Sequence, residues 1–389
     1  MSGAELWSPP PFELAVHEGR IERARADCAE RGLDGLLLVA QESLYYLFGY
    51  DQIGYWVFQA VYLPADGSPP VGICRAPDVY TMSQSPFLDD VRVWSDDQAE
   101  SPADQLMAET TRGGRARIGV ELGSHSLLPK FWSALVAAAE GRAELVDASD
   151  VVAARRAIKD EGEIERFRRA AIHLRSSYRA AEELLEPGVR ECDLLAASMA
   201  AMYRDGASPT AIHPPIASGP RTMSQTHGSA TERPVAPGEP VVIEIGAASA
   251  RYHAVAARSY VLGEPSAPLA AMHSAAASAL EAGFEAMAPA RPLSGVAELA
   301  QAELAARGYS RAGRHVGYGT GIGFPPTWLE EIRIKVSDPT PAEPGMTLFY
   351  FIGLVDPERQ VSLYVGEPVL ITAGGYERLA PYEPERWRR

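Results

Sequence analysis

The stretch VVIEIGAASARYHAVAARSYVLG, residues 241–263, decides how this chain is read. Val241, Val242 and Ile243 open it as a buried strand, and Ile245 and Gly246 close behind one charged side chain, Glu244. A carboxylate in such a run is costly unless it is paired, hydrogen-bonded or protonated. Three uses would account for it: a metal ligand, a reacting group, or half of a buried ion pair with an arginine such as Arg258. A second strand-like run follows the short turn, which sets His253 on a neighbouring strand where it can face Glu244.

Working outward, PPIASGP (214–220), MTLFYFIGLV (346–355) and VSLYVGEPVLIT (361–372) are further strand-like runs. Helical spacing appears near 191–205, 268–288 and 294–308, after one long amphipathic helix from about 156 that Pro187-Gly188 ends. Long helices around antiparallel strands predict an α+β domain over 156–389. Upstream, a helix over 13–31 precedes the strand DGLLLVA (34–40), an aromatic loop YYLFGYD (45–51) and the strand WVFQAVYLPADG (56–67). The strand RIGVELGS (117–124) and the helix LLPKFWSALVAAAEG (127–141) continue the alternation, so 1–155 reads as an α/β domain.

Composition narrows the function classes. With 36 basic against 51 acidic residues the chain carries a formal charge of −15, which disfavours a phosphate-backbone partner and hence nucleic acid. Cys28, Cys74 and Cys192 form neither a disulfide framework nor a zinc knuckle, as suits a reducing cytoplasm. No apolar run is long enough to cross a membrane, and the first residues lack the basic start and apolar core of a secretory leader. A cytoplasmic protein is the expectation, and composition by itself names no function.

Five motifs in order now carry a resemblance: RAIKDEGEIERFRRAA (156–171), IASGPRTMSQTHGSATERPVAPGEPVVIEIGA (216–247), RYHAVAARSYVLG (251–263), GYGTGIGFPPTW (317–328) and EPGMTLFYF (343–351). Together they resemble the pita-bread family of creatinase, aminopeptidase P, methionine aminopeptidase and ectoine hydrolase, with an N-terminal creatinase-like domain before the catalytic one. In the family's peptidases two aspartates, a histidine and two glutamates hold two metal ions. The resemblance puts those positions at Glu244, Val255, Thr320, Phe351 and near Gly366 or Glu367. Valine, threonine and phenylalanine cannot build a two-metal clamp, so the expectation is a metal-free site.

The metal-free branches hydrolyse C–N bonds in amidine-type compounds, and RYH, the EI of 244–245 and GFPPTW are most similar to ectoine hydrolase. On that reading Glu244 is nucleophile or counter-charge, and His227 in THGSATERP the general acid-base. His253, Tyr252 and Arg258 are candidates to hold Glu244 or the substrate, and Tyr318, Phe324, Trp328 and Phe351 to wall it. Lys335 stands where the ectoine hydrolase branch has an arginine, and the glycines of 317–324 would let backbone approach a ligand. His213 reads as structural, and His315 is left open. The resemblance also implies a small-molecule substrate, no cofactor, and a homodimer in which Tyr50, Asp51 and Trp56 form a lid over the partner's site. A metal-free cyclase or lyase, and a ligand-binding pseudoenzyme, remain as alternatives.

Overall fold

The computed structural model describes residues 10–97, 101–111, 114–310 and 315–388. The chain divides into two compact units, Met1–Arg156 and Ala157–Arg389. In the first, α1 (Leu14–Glu30), β1 (Gly35–Leu38) and α2 (Gln41–Phe48) lead to β2 (Ala60–Pro64), β3 (Val71–Arg75), α3 (Val79–Met82) and β4 (Asp90–Trp94). Then come α4 (Pro102–Thr110), β5 (Ala116–Val120), α5 (Pro129–Ala139), β6 (Ala143–Asp147) and α6 (Ser149–Ala157). Its mixed six-stranded sheet runs β4-β3-β2-β1-β5-β6. The aromatic stretch expected as a loop is α2, because Leu44, Tyr45, Leu47 and Phe48 all find buried positions on that short helix and Gly49, at φ 66°, ends it.

The second unit opens with α7 (Glu161–Leu184) and α8 (Glu191–Arg204), followed by β7 (Ile216–Ser218) and a 3-10 helix, Gly219–His227. The quoted stretch forms the hairpin β8 (Pro240–Ser249) and β9 (Tyr252–Val261). Helices α9 (Ala267–Phe284) and α10 (Ser294–Ala306) follow, then β10 (Gly317–Phe324), β11 (Thr327–Ile334), β12 (Thr347–Asp356), β13 (Val361–Thr372) and β14 (Gly375–Arg378). The strands order as β11-β10-β12-β13-β9-β8-β7, β14 pairs with β13, and a bridge between Ile322 and Tyr252 joins β10 to β9. That bridge curls the sheet so that it has an inner and an outer face.

The outer face carries two apolar clusters. One joins α7 and α8 to Val241, Ile243, Ile245 and Ala247 of β8. The other joins α9 and α10 to Tyr350, Ile352, Leu363 and Val365 of β12 and β13. The long helix expected from about 156 starts at 161 instead. Asp160 caps it by accepting from Glu163 N–H (2.9 Å), and Glu163 answers to Asp160 N–H (3.0 Å). The second Glu163 oxygen accepts from the Tyr252 hydroxyl at 2.8 Å, tying this helix start to β9.

Neither β10 nor β11 is evident from the sequence, since glycines hide the alternation of the first and charge that of the second. The glycines of β10 serve packing rather than ligand approach. A side chain on Gly321 would meet the Glu330 carboxylate, which forms a buried ion pair with Lys159 on that side of the strand.

Candidate active site

Side-chain direction alternates along β8, so the residues that line the inner face are Val242, Glu244 and Gly246. Val242 belongs to an inner cluster with Val255, Ala257, Tyr318, Trp328, Phe349, Phe351 and Tyr364. Ala257 is the register partner of Glu244, and a side chain on Gly246 would collide with the Trp328 ring. Glu244 therefore stands on the inner face among rings. Phe349 and Phe351 stack at 4.9 Å, and Tyr318 lies edge-on to Phe349 at 5.4 Å.

Glu244 is 5% exposed, and its carboxyl makes no hydrogen bond or ion pair with a described residue. Burial alone pushes it from 4.5 up to about 8, so at neutral pH it is mostly the uncharged acid. Its own burial, and secondarily the Glu244 carboxylate when ionised, push the Tyr318 phenol well above its ordinary value. Trp328 Nε1 donates to the Tyr318 hydroxyl at 3.1 Å, which fixes both rings.

The positions that the resemblance assigns to the family's metal ligands are also placed. Val255 and Phe351 lie in the inner cluster. Thr320 faces the same way as Tyr318, since Gly319 and Gly321 on either side of it face Glu330; its buried Oγ1 has no hydrogen-bond partner among the described residues. Gly366 pairs with Phe351. Glu367 does not contribute: it lies on the outer face, accepting from Arg378 Nε (2.5 Å) and Tyr382 N–H (2.6 Å). Among the described residues no three of His, Cys, Asp and Glu gather as ligands. One carboxyl flanked by valine, threonine, phenylalanine and glycine does not fit a two-metal centre.

The other sequence candidates divide sharply. Tyr318, Trp328 and Phe351 share the inner cluster with Glu244's neighbours. His253 pairs in register with Ala248, four residues from Glu244, and spends both ring nitrogens on backbone: Nδ1 on the Arg251 carbonyl (2.7 Å), Nε2 on Ala211 N–H (2.9 Å). Burial lowers its pKa to about 4, so it is a neutral structural ring rather than a partner of Glu244. Arg258 turns to the outer face, where it pairs with Glu182 (3.3 Å) and lies 4.5 Å over Tyr178. It therefore does not meet Glu244. Tyr252 is committed to Glu163, and Phe324 lies under Arg251 at 4.5 Å.

Exposed His227 ends the 3-10 helix and makes no hydrogen bond or ion pair with a described residue. Exposed His213 lies in the loop before β7. His315 has its ring 5.7 Å from Phe351 and 6.1 Å from Tyr318, at the margin of the inner cluster.

Lys335 is exposed, one residue beyond β11. Arg333, by contrast, is the register partner of Tyr318 and shares its face, with NH1 donating to the Ile332 carbonyl at 3.0 Å. Its charge acts on the Tyr318 phenol. The alternation of EIRIK, paired against GYG, is the signal that would have found it. In the first unit Tyr50 is buried with its hydroxyl on Gln59 (3.0 Å), Asp51 is half-buried and Trp56 is 65% exposed. The buried Tyr50 is thus a core ring and not part of an open lid.

A creatinase-type α/β unit and a curled antiparallel sheet backed by paired helices, with a carboxyl on its inner face, define a pita-bread protein. Residues 165–373 match Metallopeptidase family M24 and residues 20–158 the Creatinase/Prolidase N-terminal domain. The chain belongs to Metallopeptidase family M24, a family of hydrolases. It is 28% identical over 391 residues to an ectoine hydrolase of Halomonas elongata, covering 96% of this chain and 97% of that one. It is likewise 28% identical over 367 residues to a probable dipeptidase PepE of Mycobacterium bovis, covering 94% of each. The crystal structure of dipeptidase PepE from Mycobacterium ulcerans matches with a TM-score of 0.84 at 24% identity, over 97% of this chain and 99% of that one.

Proposed function

We propose that this chain is a metal-independent hydrolase of a C–N bond in a small amidine or cyclic amidine. The observation that carries the reading is Glu244: a buried carboxyl among rings with no partner among the described residues, at a position the family resemblance assigns to a metal ligand, with non-ligating residues at the others. A neutral amidine entering the inner face would take the Glu244 proton and become an amidinium with Glu244 as counter-charge, and cation contact with Tyr318, Phe349 and Phe351 would add to this. The same carboxylate, held against the sp² carbon, can act as nucleophile or as base for water. Arg333 is the proposed grip on a substrate carboxylate, in place of Lys335. For the travelling proton, His227 remains the candidate by motif and His315 by position. The ectoine hydrolase relative supports an ectoine-like substrate. A homodimer, with exposed Trp56 reaching the partner's site, is part of the proposal and is tested by light scattering with and without Trp56→Ala.

A second reading has its own observation. Glu244 is so enclosed that little solvent reaches it, as suits a pocket that binds a ligand without turnover.

The test is chelator-treated protein incubated with ectoine and, separately, with a Xaa-Pro dipeptide, with mass spectrometry of products before and after divalent metal is restored. Ring-opened product without metal supports the hydrolase. Dipeptide cleavage that appears only with metal overturns it. Saturable ectoine binding without product selects the pseudoenzyme.

A further inference from the structure

On the outer face, behind the hairpin that carries Glu244, α7 and the segment 380–386 enclose a cleft of about 180 Å³. Its charged lining is Arg175, Arg179, Glu182, Arg258, Glu383 and Arg386. Four arginines against two glutamates leave an excess of two positive charges (4 − 2), in a chain whose total is −15. The surplus is therefore local, not a drift of composition.

The two carboxylates do not exhaust these donors. Glu182 accepts from Arg258 (3.3 Å), the Tyr260 hydroxyl (2.8 Å) and Arg386 (2.6 Å), so its oxygens are already engaged. Glu383 is taken by Arg386 at 2.9 Å. Arg175 reaches the Leu379 carbonyl, and Arg179 makes no ion pair or hydrogen bond with a described residue. Arg258 is the built part of the site. It is nine-tenths buried and lies over the Tyr178 ring, and it bonds the Tyr260 hydroxyl and, at 3.5 Å through NH2, the Pro381 carbonyl, while its buried Nε has no hydrogen-bond partner among the described residues. A buried guanidinium with donors unspent carries a desolvation cost that an oxyanion would repay.

We propose that this cleft binds a phosphate group, with Arg258 as its floor and the exposed Arg175 and Arg179 as its jaws. The volume lies below the roughly 300–1,000 Å³ of pockets for drug-sized ligands, so it suits one tetrahedral oxyanion. Guanidinium forks match phosphate oxygens two at a time, and arginine keeps its charge at any working pH. The site is separate from the inner face and does not depend on the reaction proposed there.

The experiment is isothermal titration of the full-length protein with inorganic phosphate and with glycerol 3-phosphate, at constant ionic strength set by chloride. The expected result is saturable binding at one site per chain, weakened about 10- to 100-fold by Arg179→Ala and by Arg175→Ala. Arg307→Ala, on an unrelated helix end, should leave it unchanged. Glycerol 3-phosphate binding as tightly as phosphate would mark the group as part of a monoester; preference for inorganic phosphate would mark the free ion. Absence of saturable binding, or binding indifferent to both Arg175→Ala and Arg179→Ala, overturns the proposal.

Discussion

The indole of Trp328 fills the space that a side chain on Gly246 would need: a Cβ there would lie 2.6 Å from two ring carbons. This contact brings β11 against β8 two residues from Glu244, and so makes the wall that keeps water from the carboxyl. Gly246→Ala should cost about 1–3 kcal/mol by overpacking, and Trp328→Ala about 3–5 kcal/mol by the void it leaves. Urea unfolding of both variants checks the values. A Gly246→Ala variant as stable as the parent would mean the indole is free to move.

The raised pKa of Glu244 has a definite effect on stability. Its folded value, about 8, lies above the ordinary 4.5, so between these pH values the folded state holds a proton that the unfolded state has lost. Stability then falls as pH rises from 4.5 to 8, by up to about 1.4 kcal/mol per pH unit, and is flat in this respect below 4.5. Glu244→Gln should remove that slope. Denaturation midpoints at pH 5, 6, 7 and 8 for the two proteins compare the slopes directly; parallel curves would show that Glu244 is ionised throughout.

Thr320 presents a buried hydroxyl that no described residue satisfies. Thr320→Val keeps the shape and removes the unpaired group, so the free protein should gain roughly 1 kcal/mol. A loss of similar size in thermal or urea unfolding would show that the hydroxyl is hydrogen-bonded in solution.

Lys159 and Glu330 form an ion pair whose side chains are both almost wholly buried, against Gly321. Lys159→Met leaves the glutamate without its ammonium and should cost about 3–5 kcal/mol. Lys159→Met combined with Glu330→Leu should recover most of the loss, because the uncompensated charge goes with it. A double variant no better than the single one would locate the cost in packing.

The two basic residues at the end of β11 should behave differently once a substrate is in hand. Arg333 shares the face of Tyr318, so Arg333→Ala should raise KM about 10- to 100-fold, whereas Lys335→Ala should leave it within about twofold. Steady-state kinetics on the two variants decide the assignment, and the reverse order would return the role to Lys335.

The apolar runs of β8, β9, β12 and β13 and the spacing of α8, α9 and α10 were legible in the amino-acid sequence, because each element is specified by its own residues. So was the oddity of Glu244, since a carboxylate inside an apolar strand is conspicuous without any coordinates. Tertiary structure alone decided which face each side chain joins. Glu367 falls one register position from the inner face and becomes a structural acceptor, His253 turns to backbone, Arg258 meets Glu182, and Arg333 arrives beside Tyr318. A shift of one residue along a strand reverses its face, and irregular pairing between β10 and β11 puts that choice beyond local reading. The pKa of Glu244 belongs to the same category: its chemistry comes from the rings of distant strands that exclude water around it.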